Sequence, residues 1–157
     1  MLVIADSSAL VALSTCDALD VLLQAYDDIR VPQAVYDEVI IKGKPQSASL
    51  ETFLVGRVMS VDLSQWVLAA GGLGQGELEA MALYKQLSAD GLLIDDRRAR
   101  AVAEHNQIVC IGTLGFLLLA KHQGIIQRVL PYVEKLRASS LYYEDDLLEK
   151  FLLLAHE

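Results

Sequence analysis

Basic residues are scarce in this chain: Lys and Arg number 13 against 21 Asp and Glu, a formal charge of −8. A protein that grips nucleic acid through a broad basic face is therefore not expected. Phosphate binding is not excluded, because divalent cations held by carboxylates supply positive charge locally. Aromatic residues are sparse too, at 6%, within a chain that is 54% hydrophobic, so the core must be largely aliphatic. The only cysteines, Cys16 and Cys110, lack C-x-x-C spacing and read as reduced, structural thiols. Long apolar runs are missing. The longest uncharged one, Ile108 to Ala120, has 13 residues and contains Gly112, Thr113 and Gly115, whereas a membrane-spanning helix needs roughly 20 apolar residues. The first residues carry no basic n-region and reach a carboxylate at Asp6, so no secretory signal is read and a cytoplasmic protein is expected. No polar or low-complexity stretch divides residues 1–157, which are expected to form one domain.

What is there is an alternation of short aliphatic runs with helical periodicity. Leu2–Ala5 reads as a strand, and Asp6-Ser7-Ser8 after it offers a carboxylate and hydroxyls able to cap a helix. Asp28–Val31 reads as a second strand, with Pro32 in the first turn of a helix that carries Ala34, Val35, Val39 and Ile40 at helical spacing and stops at Lys42–Pro45. Ser49–Val55 reads as a short helix and Gly56–Val61 as a third strand, at an edge. Gly71–Gly76 is a loop by its glycine content, followed by a helix over Glu77–Ser88. Gly91–Ile94 is a fourth strand closed by Asp95-Asp96, Arg97–Asn106 a helix, and Ile108–Ile111 a fifth strand. Gly112-Thr113 opens a helix that ends at Gly124, and helices over Ile126–Arg137 and Glu144–His156 follow. Such alternation predicts a Rossmann-like, three-layer α/β/α fold with a mainly parallel sheet of about five strands. In that architecture the site lies beyond the carboxyl ends of the strands, where the strand order reverses.

Asp6 and Asp95-Asp96 stand at such strand ends, so folding can gather carboxylates about 90 positions apart onto one rim. Like charges brought together repel unless a cation neutralises them, and an oxygen-rich cluster suits Mg²⁺ or Mn²⁺. Glu38 lies about two turns into the helix after the second strand, where Asp37 competes with it and the flanking Val35 and Val39 do not choose between them. Glu77 and Glu79 open a later helix, where anionic side chains suit the helix dipole without any function. They face roughly opposite ways, and Glu77 is preferred because it lines up with Ala80, Met81 and Tyr84. Arg97, Arg98 and Arg100 follow the acidic pair and can meet phosphates, or simply form ion pairs on a solvated helix face. His105, His122 and His156 have no apparent serine or cysteine partner. The glycine loop fits neither G-x-G-x-x-G nor a GK[ST] phosphate loop. A receiver-type reading would use an aspartate after the third strand, where Asp62 stands, and a lysine after the fifth, where none occurs before Lys121.

Three segments carry a family resemblance: Ile4-Ala-Asp6-Ser-Ser-Ala-Leu10 as a D-x-S-x-L opening, Val31-Pro-Gln-Ala-Val-Tyr-Asp-Glu-Val39, and Leu92-Leu-Ile-Asp-Asp-Arg-Arg-Ala-Arg100. In order and spacing they resemble the PIN domain of metal-dependent nucleases, which includes the VapC toxins. Gly74-Gln-Gly-Glu-Leu-Glu-Ala80 and Ile111-Gly-Thr-Leu-Gly-Phe116 look like a prokaryotic branch of it. The resemblance implies that Asp6, Glu38 and Asp96 are metal-site acids with Asp95 beside them, and that Glu77 takes a place that is commonly Asp in VapC proteins, with Glu79 as the alternative. It implies that Ser8 holds the first aspartate, that Mg²⁺ or Mn²⁺ is the cofactor, and that RNA is the substrate. Homodimers, and an antitoxin partner for toxin members, are expectations of the same kind. The other function class is a non-catalytic PIN-like module that binds RNA or protein through the same rim. The carboxy-terminal helix, with an apolar stripe wider than a lone surface helix needs, packs on the core, on another subunit or on a small partner.

Overall fold

The computed structural model describes residues 1–65 and 72–157. Gly71, the first residue of the expected glycine loop, lies outside the described residues. The strands are β1 (Leu2–Ala5), β2 (Asp28–Pro32), β3 (Val58–Met59), β4 (Gly91–Leu93) and β5 (Cys110–Ile111). All pair in parallel, in the order β3-β2-β1-β4-β5. With helices on both faces this is a three-layer α/β arrangement, as the alternation predicted. Val3, Ile4, Ala5, Ile29, Val31, Leu92 and Leu93 are fully buried, which is why the strands read as unbroken aliphatic runs rather than as alternating ones. Burying each large aliphatic side chain contributes roughly 1.5–3 kcal/mol.

The helices are α1 (Ser7–Thr15), α2 (Leu19–Ala25), α3 (Gln33–Val39), α4 (Ser47–Phe53), α5 (Gln75–Gln86), α6 (Arg97–His105), α7 (Thr113–His122), α8 (Leu130–Ala138) and α9 (Asp145–Leu154). Several differ from expectation, and α4 lies two residues earlier than expected at both ends. Pro32 closes β2 and caps α3 from an extended conformation (φ −77°, ψ 161°), so it precedes the first turn instead of lying in it. Helix α8 starts at Leu130, later than Ile126, because Pro131 belongs in a first turn, where its missing N–H costs nothing. Helix α5 starts two residues early, at Gln75, because the Glu77 carboxylate accepts from the Gly74 N–H at 3.0 Å and caps the extra turn. Helix α2 is an additional element between α1 and β2. Helix α9 buries Leu148, Phe151 and Leu152 against the core while Leu147, Leu153 and Leu154 stay exposed. Among the described residues no single helix is long and apolar enough to cross a membrane.

The order of strands reverses between β1 and β4. Their register aligns Ile4 with Leu92 and Ala5 with Leu93, and the ladder runs on through a bond from Asp6 N–H to the Leu93 carbonyl at 2.8 Å. Asp6 and Asp95-Asp96 thus leave the sheet side by side.

Candidate active site at the carboxyl edge of the sheet

Asp6 caps α1 from an extended conformation, and only 2% of it is exposed. Its Oδ2 accepts from the Ser8 hydroxyl at 2.9 Å and the Ser8 N–H at 3.3 Å. Its Oδ1 is buried with no hydrogen-bond partner. Burial raises its pKa to about 6; the bonds from Ser8 and the nearby Ser7 N–H dipole oppose that rise, and the charge of nearby Glu77 adds to it. The Ser8 hydroxyl also accepts from the backbone N–H of Asp95 at 3.0 Å and of Asp96 at 3.3 Å. One hydroxyl thereby ties the ends of β1 and β4 together.

The ambiguous acids are separated by tertiary contacts. Glu38 reaches α1, where its Oε2 accepts from the Ser7 hydroxyl at 2.5 Å. Asp37 instead accepts from Gln33 of its own helix at 2.9 Å. Gly76 lies against the Glu38 carboxylate so closely that a Cβ there would stand 2.4 Å from Oε1, and glycine allows α5 to approach α3 at this point. Glu77, bound to the Gly74 N–H, is the acid of α5 whose charge acts on Asp6. Glu79 points elsewhere: it accepts from the Ala34 N–H at 3.3 Å and from Gln75 at 2.8 Å, tying α5 to the first turn of α3.

The acidic pair after β4 divides its duties. Asp95 accepts from the Thr113 N–H and hydroxyl, each at 2.7 Å, and from the Tyr143 hydroxyl at 2.9 Å, so both its oxygens serve the start of α7. Burial and the Asp95 charge push the Tyr143 pKa well above its usual value, keeping it a donor. Asp96 is exposed and caps α6 through the Ala99 N–H at 2.8 Å. The three arginines also part company. Arg97 and Arg100 line a groove of about 1240 Å³ that includes Ser7, Ser8, Asp95 and Asp96, with Arg100 also paired to Glu104 at 3.0 Å. The Arg98 guanidinium lies over Gly72. His105 and His122 sit at the far ends of α6 and α7, away from the rim. Lys121, the first lysine after the fifth strand, is held there too, by Glu157 at 2.7 Å and the Ala155 carbonyl at 2.6 Å.

The donors on the rim are those a hard divalent cation prefers, and the Asp6 oxygen without a partner fits one. The other carboxylates, being like charges, settle on separate N–H and O–H donors. Accordingly, among the described residues no set of three or more Asp, Glu, His or Cys side chains is arranged to hold a metal ion. The residues sequence reasoning missed are Ser7, Gly76, Thr113 and Tyr143. Ser7 and Thr113 stand just after strands and were findable on that ground. Gly76 and Tyr143 act across elements and leave no local signal.

A family model described as a PIN domain matches residues 2–157. Neither the comparison with curated proteins nor that with solved structures finds a match.

Proposed function

This chain belongs to the PIN-domain family, whose members are generally nucleases, and from that premise we propose that it is a divalent-metal-dependent ribonuclease that hydrolyses RNA phosphodiester bonds at the carboxylate rim. The observation that carries the reading is the placement of Asp6: a buried carboxylate oxygen without a partner, at the strand-order reversal, with Glu77 acting on it and Asp96 beside it through Ser8. Asp6, Glu38, Glu77 and Asp96 would hold Mg²⁺ or Mn²⁺, Asp95 serving the rim from behind. A bound divalent ion supplies charge for the phosphate and a water of lowered pKa for attack. Asp6 must be ionised to act, which its pKa of about 6 permits at neutral pH. Ser8 fixes its carboxylate, and Arg97 and Arg100 hold the substrate phosphate from the groove. Membership of a toxin–antitoxin pair is the finer form of this proposal.

The full engagement of Asp95 and the lack, among the described residues, of a converged acid set favour a second reading, a PIN-like module that binds RNA without cutting it. Purified protein incubated with labelled RNA in Mn²⁺, in Mg²⁺ and in EDTA, beside Asp6→Asn and Asp96→Asn, separates the two. Metal-dependent cleavage lost in both variants supports the ribonuclease. Binding without cleavage by any of them supports the module. Cleavage that persists in EDTA refutes the site. For the toxin role, growth arrest on expression, relieved by Asp6→Asn, is the expected outcome.

A further inference from the structure

Tyr142 is 86% exposed, the most exposed of the large hydrophobic side chains among the described residues. It lines the same groove as Asp96, Arg97 and Arg100. We propose that Tyr142 is a stacking platform for a base of single-stranded RNA adjoining the phosphate at the rim. The inference rests on the ribonuclease reading for RNA as the occupant and for the phosphate at the rim, while stacking itself requires no cleavage.

Its backbone is fixed on both sides. The Leu141 N–H donates to Ser139 Oγ at 3.2 Å, and the next residue, Tyr143, is anchored on Asp95 at 2.9 Å. The backbone that carries the ring is therefore held in place, which lowers the ordering cost of binding. The groove beside it is walled by Leu114, Leu141 and Leu147, surfaces that accept an uncharged base and not a phosphate. With a charge of −8 the chain cannot draw RNA by a broad field. Affinity must then come from local contacts: the two arginines for phosphates, and an aromatic face for a base, which stacks whatever its identity. Arg97 and Arg100 in the same groove as this apolar wall suit the alternating phosphates and bases of a strand, and RNA is the strand that the ribonuclease reading supplies.

The test uses the full chain with fluorescein-labelled single-stranded RNA, Tyr142→Ala and Tyr142→Phe, and an RNA series in which one abasic site moves along the strand. Binding is read by anisotropy in EDTA, and KM and kcat in Mn²⁺. Tyr142→Ala is expected to weaken binding and raise KM roughly tenfold, the size of one lost base stack, with little change in kcat or melting temperature. Tyr142→Phe, which keeps the ring, should behave as wild type. At one abasic position wild type and Tyr142→Ala should become equal. Identical binding by Tyr142→Ala, equal damage from Phe and Ala, or a gap that no abasic position closes would overturn the proposal and leave the groove to a protein partner or a second copy. Failure of wild type to bind RNA in either buffer would overturn it as well. Stacking without cleavage would refute the ribonuclease reading alone; metal-dependent cleavage unaffected by Tyr142→Ala would refute this one alone.

Discussion

Replacing Ser8 by alanine removes a single hydroxyl and, with it, three hydrogen bonds: the one given to Asp6 Oδ2 at 2.9 Å and those taken from the Asp95 and Asp96 N–H groups at 3.0 and 3.3 Å. A polar group left without its partner inside a protein costs about 1–3 kcal/mol. Ser8 and Asp95 are half-buried and Asp96 is exposed, so water recovers part of that. The expected net loss is about 2–3 kcal/mol, a fall in Tm of roughly 4–12 °C for a domain of this size. The chemistry should change with the stability. The hydroxyl favours ionised Asp6, whose pKa burial already lifts to about 6, so its removal raises that pKa further and moves the acid limb of the pH–rate profile to higher pH. Urea and thermal denaturation, with cleavage measured across pH, test both halves. A Ser8→Ala protein within about 0.5 kcal/mol of wild type, with an unmoved acid limb, would mean that the hydroxyl does not join the two strand ends.

The Asp6 pKa is raised in the fold, from 3.8 to about 6. Its contribution to stability is thus complete below the unfolded value and is lost as pH rises through the folded one. In EDTA, Asp6→Asn, which resembles the protonated acid, should be more stable than wild type above pH 6 by up to about 3 kcal/mol, the gap closing near pH 4. Parallel urea-unfolding curves across that range would contradict this. Glu157 has the opposite sign. Burial would raise its pKa, but Lys121 at 2.7 Å and the N–H groups of Val129 and Leu130 outweigh that and hold it at about 2, below the usual 4.5. Its contribution is present above pH 4.5 and fades as pH falls toward 2. Glu157→Gln should cost about 1–2 kcal/mol at neutral pH and nothing in strong acid, and a gap that stays constant in acid titrations followed by circular dichroism would rule it out.

The strands and the rim were legible because each is announced locally. A sheet covered on both faces leaves runs such as Leu2–Ala5 and Gly91–Leu93, and a carboxylate directly after such a run has nowhere to stand but the edge. Glu38 and Asp37 could not be told apart, because Val35 and Val39 flank both; the Ser7 hydroxyl, on another helix, separates them. The same holds for Asp95, whose partner Tyr143 lies 48 positions away. The division of labour between Asp95 and Asp96 is set by where α7 begins and by what the segment between α8 and α9 brings near, and neither is written beside the pair. Pro32 misled for a local reason: its fixed φ suits a helix cap and a first turn equally.

The reversal of strand order has a consequence in time. Asp6 is made well before Asp95 and Asp96, which lie beyond β4, and Ser8 cannot bridge the strand ends until Gly91–Leu93 has added itself beside β1. Everything from β1 through β4 must therefore be made before the two strand ends can meet. For a chain acting as the ribonuclease proposed above, the carboxylate rim would stay incomplete throughout that stretch of synthesis.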